Sequence, residues 1–163
     1  MKVVDDVNSR ELVRFALQSK GTLSIEKSED KSIDFIVSPL EDINKKYGIV
    51  IKYRNIPEKE TKSKVFDDLD KLKENCAKNN LIPTIGFVLY DETGKTTYVF
   101  LFTVQQLEYL TVSEKIKDEI YAVMNGIQLK YGVNHTAIKS MMDRLKANLD
   151  YIEITSGEID FMK

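Results

Sequence analysis

The sequence predicts a mixed α/β (α+β) domain: a central mixed sheet of about five strands flanked by helices, with a C-terminal helical hairpin. Three observations carry this. Short Ile- and Val-rich runs alternate with amphipathic helical stretches along the first two thirds of the chain. Two consecutive runs, Thr84 to Tyr90 and Thr96 to Val104, are apolar on both faces, and strands of that kind need cover on two sides. From Ser113 onward the apolar spacing turns helical and stays so.

Taken in order, Asn8 to Lys20 reads as a first helix: Leu12, Val13, Ala16 and Leu17 share one side with Phe15 beside them, and Gly21 closes it. Asn8 and Glu11 stand at capping-box spacing. Thr22 to Lys27 alternates polar and apolar residues, the mark of a half-exposed strand. Two Ile- and Val-rich runs follow between Ser32 and Arg54, separated by a turn-like segment with Ser38, Pro39, Glu41, Asp42 and Asn44; they read as adjacent antiparallel strands. A polar connector from Asn55 to Lys62 leads to a second helix, where Val65, Leu69, Leu72 and Cys76 form the apolar stripe and Asn79, Asn80 and Pro83 end it. The two fully apolar strands are joined by Asp91 to Gly94, with the glycine placed for a positive φ. Ile116, Ile120, Val123, Met124 and Ile127 make one further stripe, and after Asn134 a second carries Ile138, Met141, Met142, Leu145 and Leu149. Tyr151 to Lys163 holds short alternating pieces that read as a small hairpin or an ordered tail.

With 163 residues, 42% of them hydrophobic and 31% charged, the chain is long enough for one buried core, assigned to residues 1–110, with residues 111–163 as a helical extension packed on it. Lys and Arg total 24 against 26 Asp and Glu, so the net charge of −2 provides no global attraction for nucleic acid or anionic membrane; such binding needs a local patch. One cysteine, Cys76, excludes an intramolecular disulfide framework, and with one histidine, His135, it cannot build a zinc site of the usual kind. Neither a signal-peptide apolar region nor a membrane-length run occurs, so a soluble cytoplasmic protein is expected. Glycine-rich phosphate loops, nucleophile elbows and paired-cysteine signatures are also missing from the sequence.

The two central strands each carry a charge in an apolar run, Asp34 and Lys52, and a charge in that setting is costly without a partner, a metal or a task. With Ile33-Asp34-Phe35-Ile36-Val37 on the second strand and Val50-Ile51-Lys52 on the third, the order helix, three strands, helix, strand resembles the restriction-endonuclease-like fold of the PD-(D/E)XK nuclease superfamily. Glu11 stands where some resolvase-like members carry a helical Glu, and Ile82 to Val88 resembles the strand after the crossover helix. The resemblance covers roughly residues 8–105 and implies Asp34, Lys52 and Glu11 as catalytic residues, Asp34 as a Mg²⁺ ligand, Lys45, Lys46 and Arg54 as substrate contacts, and DNA as partner.

One departure stands inside the motif. Active members carry an acidic residue or Gln two positions before the lysine, and here that residue is Val50. Residues two apart on a strand share a face, so an apolar wall replaces a ligand and Mg²⁺ is expected to bind weakly or not at all. A displaced carboxylate would come from Asp67, Asp68, Glu11, Glu41 or Asp42. Each has an ordinary role as well: Glu11 as the capping-box partner of Asn8, Asp67 and Asp68 as helix-dipole acids, Glu41 and Asp42 as turn acids, and Asp34 with Lys52 as a cross-strand ion pair. Lys45, Lys46, Lys52, Arg54, Lys59, Lys62 and Lys64 form a basic concentration suited to a phosphate backbone, though Glu58 and Glu60 among them fit a solvated face equally. The readings are thus a Mg²⁺-dependent deoxyribonuclease, a nuclease-like binding module without a working metal site, or an unrelated α+β regulatory domain that forms a homodimer through the helices after Ser113.

Overall fold

The computed structural model describes residues 6–19, 21, 23–56, 69–91, 95–110, 112, 143, 146–147 and 150–155, with the backbone alone for 6, 54–56, 91, 110 and 150–155. In chain order these form α1 (Asp6–Ser19), β1 (Leu23–Lys27), β2 (Phe35–Pro39), β3 (Tyr47–Ile56), α2 (Leu69–Lys78), β4 (Ile82–Asp91), β5 (Thr96–Thr103), α3 (Val104–Leu110) and β6 (Asp150–Thr155). The strands make one six-stranded sheet whose spatial order follows the sequence. Every neighbouring pair is antiparallel except β3 and β4, which run parallel from Tyr47↔Ile82 to Ile56↔Asp91. A parallel pair cannot be closed by a tight turn, and α2 lies in the crossover that joins them.

Helix α1 starts earlier than its sequence signals indicate. Its buried stripe of Leu12, Val13, Ala16 and Leu17 continues back to Ser9, also buried, so the helix extends to Asp6. That places Asn8 inside the first turn, and Asn8 with Glu11 is not a capping box. Glu11 is exposed. The stripe packs on one face of the sheet against Phe35, Val37, Ile49, Val88, Tyr90, Val99 and Leu101, with Ile51 and Tyr53 at its margin. Strand alternation therefore turns Val50 and Lys52 to the opposite face, as the sequence predicts. That second face carries Ile85, Phe87, Leu89, Phe100 and Phe102, all nearly inaccessible, and α2 packs on β4 there through its Leu72 and Cys76 side. Phe87 meets Phe100 edge-on, Tyr98 stacks along Phe100, and the Lys146 ammonium lies 4.4 Å from the centre of the Tyr98 ring. Within the apolar stripes and runs of the sequence, Leu72, Ile85, Phe87 and Leu101 are buried and Leu69 is half-buried; Ile120 lies outside the described residues.

Helix α2 ends as its two asparagines require. Asn80 takes a left-handed φ of 56°, the Asn80 N–H reaches the Ala77 carbonyl and the Leu81 N–H reaches that of Cys76, a Schellman motif with Asn in the position glycine more often fills. Pro83, a helix stop in the sequence, belongs to β4; β5 pairs only from Thr84 onward, so the missing proline N–H removes no rung on that side. Several boundaries differ from the local pattern. β3 runs on to Ile56, through residues that read as connector, because β4 extends to pair with them. Helix α3, which apolar periodicity does not signal, is nucleated by a true capping box: the Gln106 N–H donates to the Thr103 hydroxyl, and the Thr103 N–H donates to the Gln106 side-chain oxygen. The sixth strand comes from Asp150–Thr155, where the local pattern predicts only a small hairpin or tail; β5 supplies it with backbone partners. In the β4–β5 connection Lys95 has φ 49°, while Gly94 lies outside the described residues. So do the predicted helices between 113 and 149, except for Asp143, Lys146 and Ala147, which are helical.

Two glycines on the parallel strands let the helices approach from opposite sides. A Cβ on Gly48 would lie 2.9 Å from Cys76 Sγ and 3.0 Å from Leu81 Cδ1, and one on Gly86 would lie 3.1 Å from both methyl groups of Val13. Gly48→Ala is expected to destabilise the protein by about 1–3 kcal/mol through overpacking, with part of the loss recovered in a Gly48→Ala/Cys76→Ala double variant. Urea denaturation of the four proteins in that cycle measures it; an unchanged midpoint in the single variant would mean α2 does not sit on Gly48.

Candidate functional site

Asp34 directly precedes β2, at the point where β2 stops pairing with β3. Its N–H donates to the Ile49 carbonyl at 2.8 Å, and its Oδ2 accepts the Ile51 N–H at 2.8 Å. The carboxylate thus takes over a backbone rung that a longer β2 would have supplied. Its other oxygen, Oδ1, lies 2.7 Å from Nη2 of Arg10 on α1, the Asp34 side chain being 15% and that of Arg10 49% exposed. One short side chain therefore ties α1, β2 and β3 together, and both its oxygens are engaged by donors.

This corrects the expected cross-strand pair: the cation that meets Asp34 is Arg10, 24 positions upstream in the chain, and not Lys52. Lys52 follows Ile51 and is level with the carboxylate, but its side chain points to the α2 face, where it is half-buried beside Phe87 of β4 and makes no ion pair among the described residues. Val50 lies on the same face as Lys52, as the alternation requires. Glu11 is exposed on α1. Lys45 and Lys46 are exposed in the β2–β3 connection, at the far end of β2 from Asp34, about 17 Å along the strand at the usual rise per residue. The Lys45 ammonium is 5.8 Å from the Tyr47 ring centre. Glu41 and Asp42 share that connection, where the Asp42 N–H reaches the Pro39 carbonyl and the Lys45 N–H that of Asp42. The Arg54 side chain, Asp67, Asp68, Lys59, Lys62, Lys64 and His135 lie outside what is described. The structure thus brings Asp34 to the level of Lys52 and leaves Lys45, Lys46, Glu41 and Asp42 at the other end of the hairpin.

A hard dication takes its ligands from several oxygens, and the donor set at this position does not fit one. The Asp34 oxygens already hold a guanidinium and an amide, Val50 is aliphatic, and among the described residues no group of three or more His, Cys, Asp or Glu could surround a metal. Other polar groups nearby are structural. Asp30, in the turn before Asp34, accepts from the Ser32 N–H and hydroxyl and, at 3.4 Å, from the Asn79 side chain; the Ser32 hydroxyl, then its N–H, hold the Asp30 carboxyl below its ordinary range. That turn is thereby tied to the end of α2. The Cys76 thiol faces the Gly48 carbonyl at 3.9 Å; burial first and the negative charge of Asp30 second push its pKa up to about 11.

The site missed from sequence is on the outer flank of α1. Arg10 holds Asp34, and one turn on, the Arg14 guanidinium carbon sits 5.2 Å from the centre of the Phe35 ring. The only signal in the sequence is that Arg10 and Arg14, four apart, border the apolar stripe.

Fold and site together define a mixed α/β protein whose sheet is covered by helices on both faces and whose internal aspartate is used as a brace. No family model, no curated protein and no solved structure matches the chain. Among the described residues no helix is long and apolar enough to cross a membrane.

Two outcomes test this geometry. Asp34→Ala leaves the Ile51 N–H and Arg10 without their acceptor and should cost about 1.5–3 kcal/mol, whereas Arg10→Ala, at a half-exposed pair, should cost at most about 1 kcal/mol. Equal losses in chemical denaturation would assign the brace to the ion pair alone. Native Cys76 should resist a thiol reagent such as DTNB at pH 8 and react stoichiometrically once unfolded, since only the thiolate attacks and both burial and its raised pKa suppress it. Fast labelling of the native protein would contradict the packing of α2 on β3.

Proposed function

We propose that this chain is a nuclease-like module of the PD-(D/E)XK type that binds DNA without cutting it, its metal position having been given over to structure. The order α1, antiparallel β1–β2–β3, crossover α2 and parallel β4 supports the reading, as do Asp34 at the start of β2 and Lys52 on β3. The observation that carries the loss of catalysis is the engagement of both Asp34 oxygens, by Arg10 and by the Ile51 N–H, opposite a β3 in which Val50 stands at the position of the second acid. The Arg10 guanidinium, 2.7 Å from Oδ1, neutralises this carboxylate and its positive charge opposes a dication beside it, and hydrolysis of a phosphodiester by this family's route requires that metal.

Isothermal titration with Mn²⁺ beside a plasmid-nicking assay tests the reading. The wild-type protein should release no measurable heat of metal binding and leave supercoiled plasmid intact, while retarding duplex DNA at low salt. Metal-dependent nicking that Asp34→Ala abolishes would overturn it, as would failure to bind DNA in any form.

A further inference from the structure

The chain carries net charge −2, so DNA binding requires a local surface of opposite sign. The flank of α1 over the β1–β2 end of the sheet provides one. Arg14 lies over Phe35 of β2. Lys27, the last residue of β1, is the register partner of Phe35, and directly opposed residues of an antiparallel pair present their side chains on the same face, here the one α1 covers. Arg10, one turn before Arg14, joins them at Asp34. Arg10, Arg14 and Lys27 are all solvent-accessible, and the carboxylate among them, Asp34, is turned inward to the Ile51 N–H. Glu26 alternates to the other face of β1, and Glu11 stands on the outer side of α1 next to Arg10. Stacking on Phe35 uses the face of the Arg14 guanidinium and leaves its edge N–H groups to point outward.

Resting on the reading of the chain as a DNA-binding module, we propose that Arg14 and Lys27, with Arg10 at their border, form its phosphate-backbone contact, in place of the connector lysines Lys45 and Lys46. The Arg10–Arg14 spacing of one helical turn, about 6 Å along the axis, presents separate cations in a row, and the Phe35 platform and the Asp34 brace hold the two arginines in place before any ligand arrives. Contacts of this kind are made to phosphate and carry no base sequence, so binding should be sequence-tolerant and strongly salt-dependent.

The experiment is fluorescence anisotropy with a labelled duplex across a salt series, on the full chain. Arg14→Gln/Lys27→Gln should weaken binding roughly tenfold and lower the slope of log K against log salt by about two, and Lys27→Glu alone, at an exposed side chain that the fold does not need, should weaken it several-fold. The same charge removed by Lys45→Gln/Lys46→Gln should cost less. Thermal melts confirm that each variant is folded. If wild-type protein binds and the α1–β1 variants bind equally well, this surface is overturned while the DNA reading stands; equal losses in both double variants reduce the effect to overall charge and also overturn it. Wild-type protein that does not bind DNA removes both. Competition by poly-glutamate as effective as that by unlabelled DNA would assign the patch to acidic polypeptide and overturn the proposal.

Discussion

The parallel ladder between β3 and β4 is the constraint from which the other elements take their places. Ten residues of each strand are in register, and parallel strands demand a crossover that a short turn cannot supply. With α2 in that crossover and α1 on the opposite side, β4 is covered on both faces, which is why it can be apolar on both sides. The ladder also carries two close approaches of helix to sheet. Gly48 and Gly86 lie on the two parallel strands and face opposite sides, one beneath Cys76 and one beneath Val13, so each helix meets the sheet where a side chain is missing.

The Arg10–Asp34–Ile51 brace solves a problem created by the antiparallel half of the sheet. β2 is short, β3 is long, and where β2 ends the β3 backbone needs another acceptor. A carboxylate fits because it is small, accepts through two oxygens and can be held by a cation from the covering helix. The same properties make aspartate a metal ligand elsewhere. Which use an aspartate serves depends on what else reaches it, and here an arginine and an amide do so while the β3 residue opposite it, Val50, is aliphatic.

Electrostatics divides in a similar way between surface and interior. Cations gather at opposite ends of the β2–β3 hairpin, Lys45 and Lys46 in its connection and Arg10 and Arg14 of α1 above the start of β2. The second group is held by both an aromatic ring and a carboxylate, whereas in the first Lys45 faces the Tyr47 ring alone. Cations held at two points lose less side-chain entropy on meeting an anion than those held at one or none, so equal formal charge is not equal binding surface.

Sequence periodicity by itself determined the mixed α/β class, the stripe of α1, the asparagine stop of α2, the double-sided burial of β4 and β5, and the facing of Val50 and Lys52, because each depends on residues within a few positions of one another. Local signals also existed for α3, in the Thr103-x-x-Gln106 capping box, although its short apolar stretch made no visible period. Only the tertiary structure decided the rest. The extension of β3 to Ile56 and the recruitment of Asp150–Thr155 as β6 depend on a neighbouring strand whose backbone needs partners, and no local propensity encodes that. The start of α1 moved because burial of Ser9 outweighed a cap-like Asn8. Asp34 looked from the sequence like a partner for Lys52, two strand positions beyond Val50, where the β2–β3 register places Asp34; Arg10 reached it instead, since the packing of α1 over β2 brings together charges far apart in the chain, and the pleat turns Lys52 away to the other face.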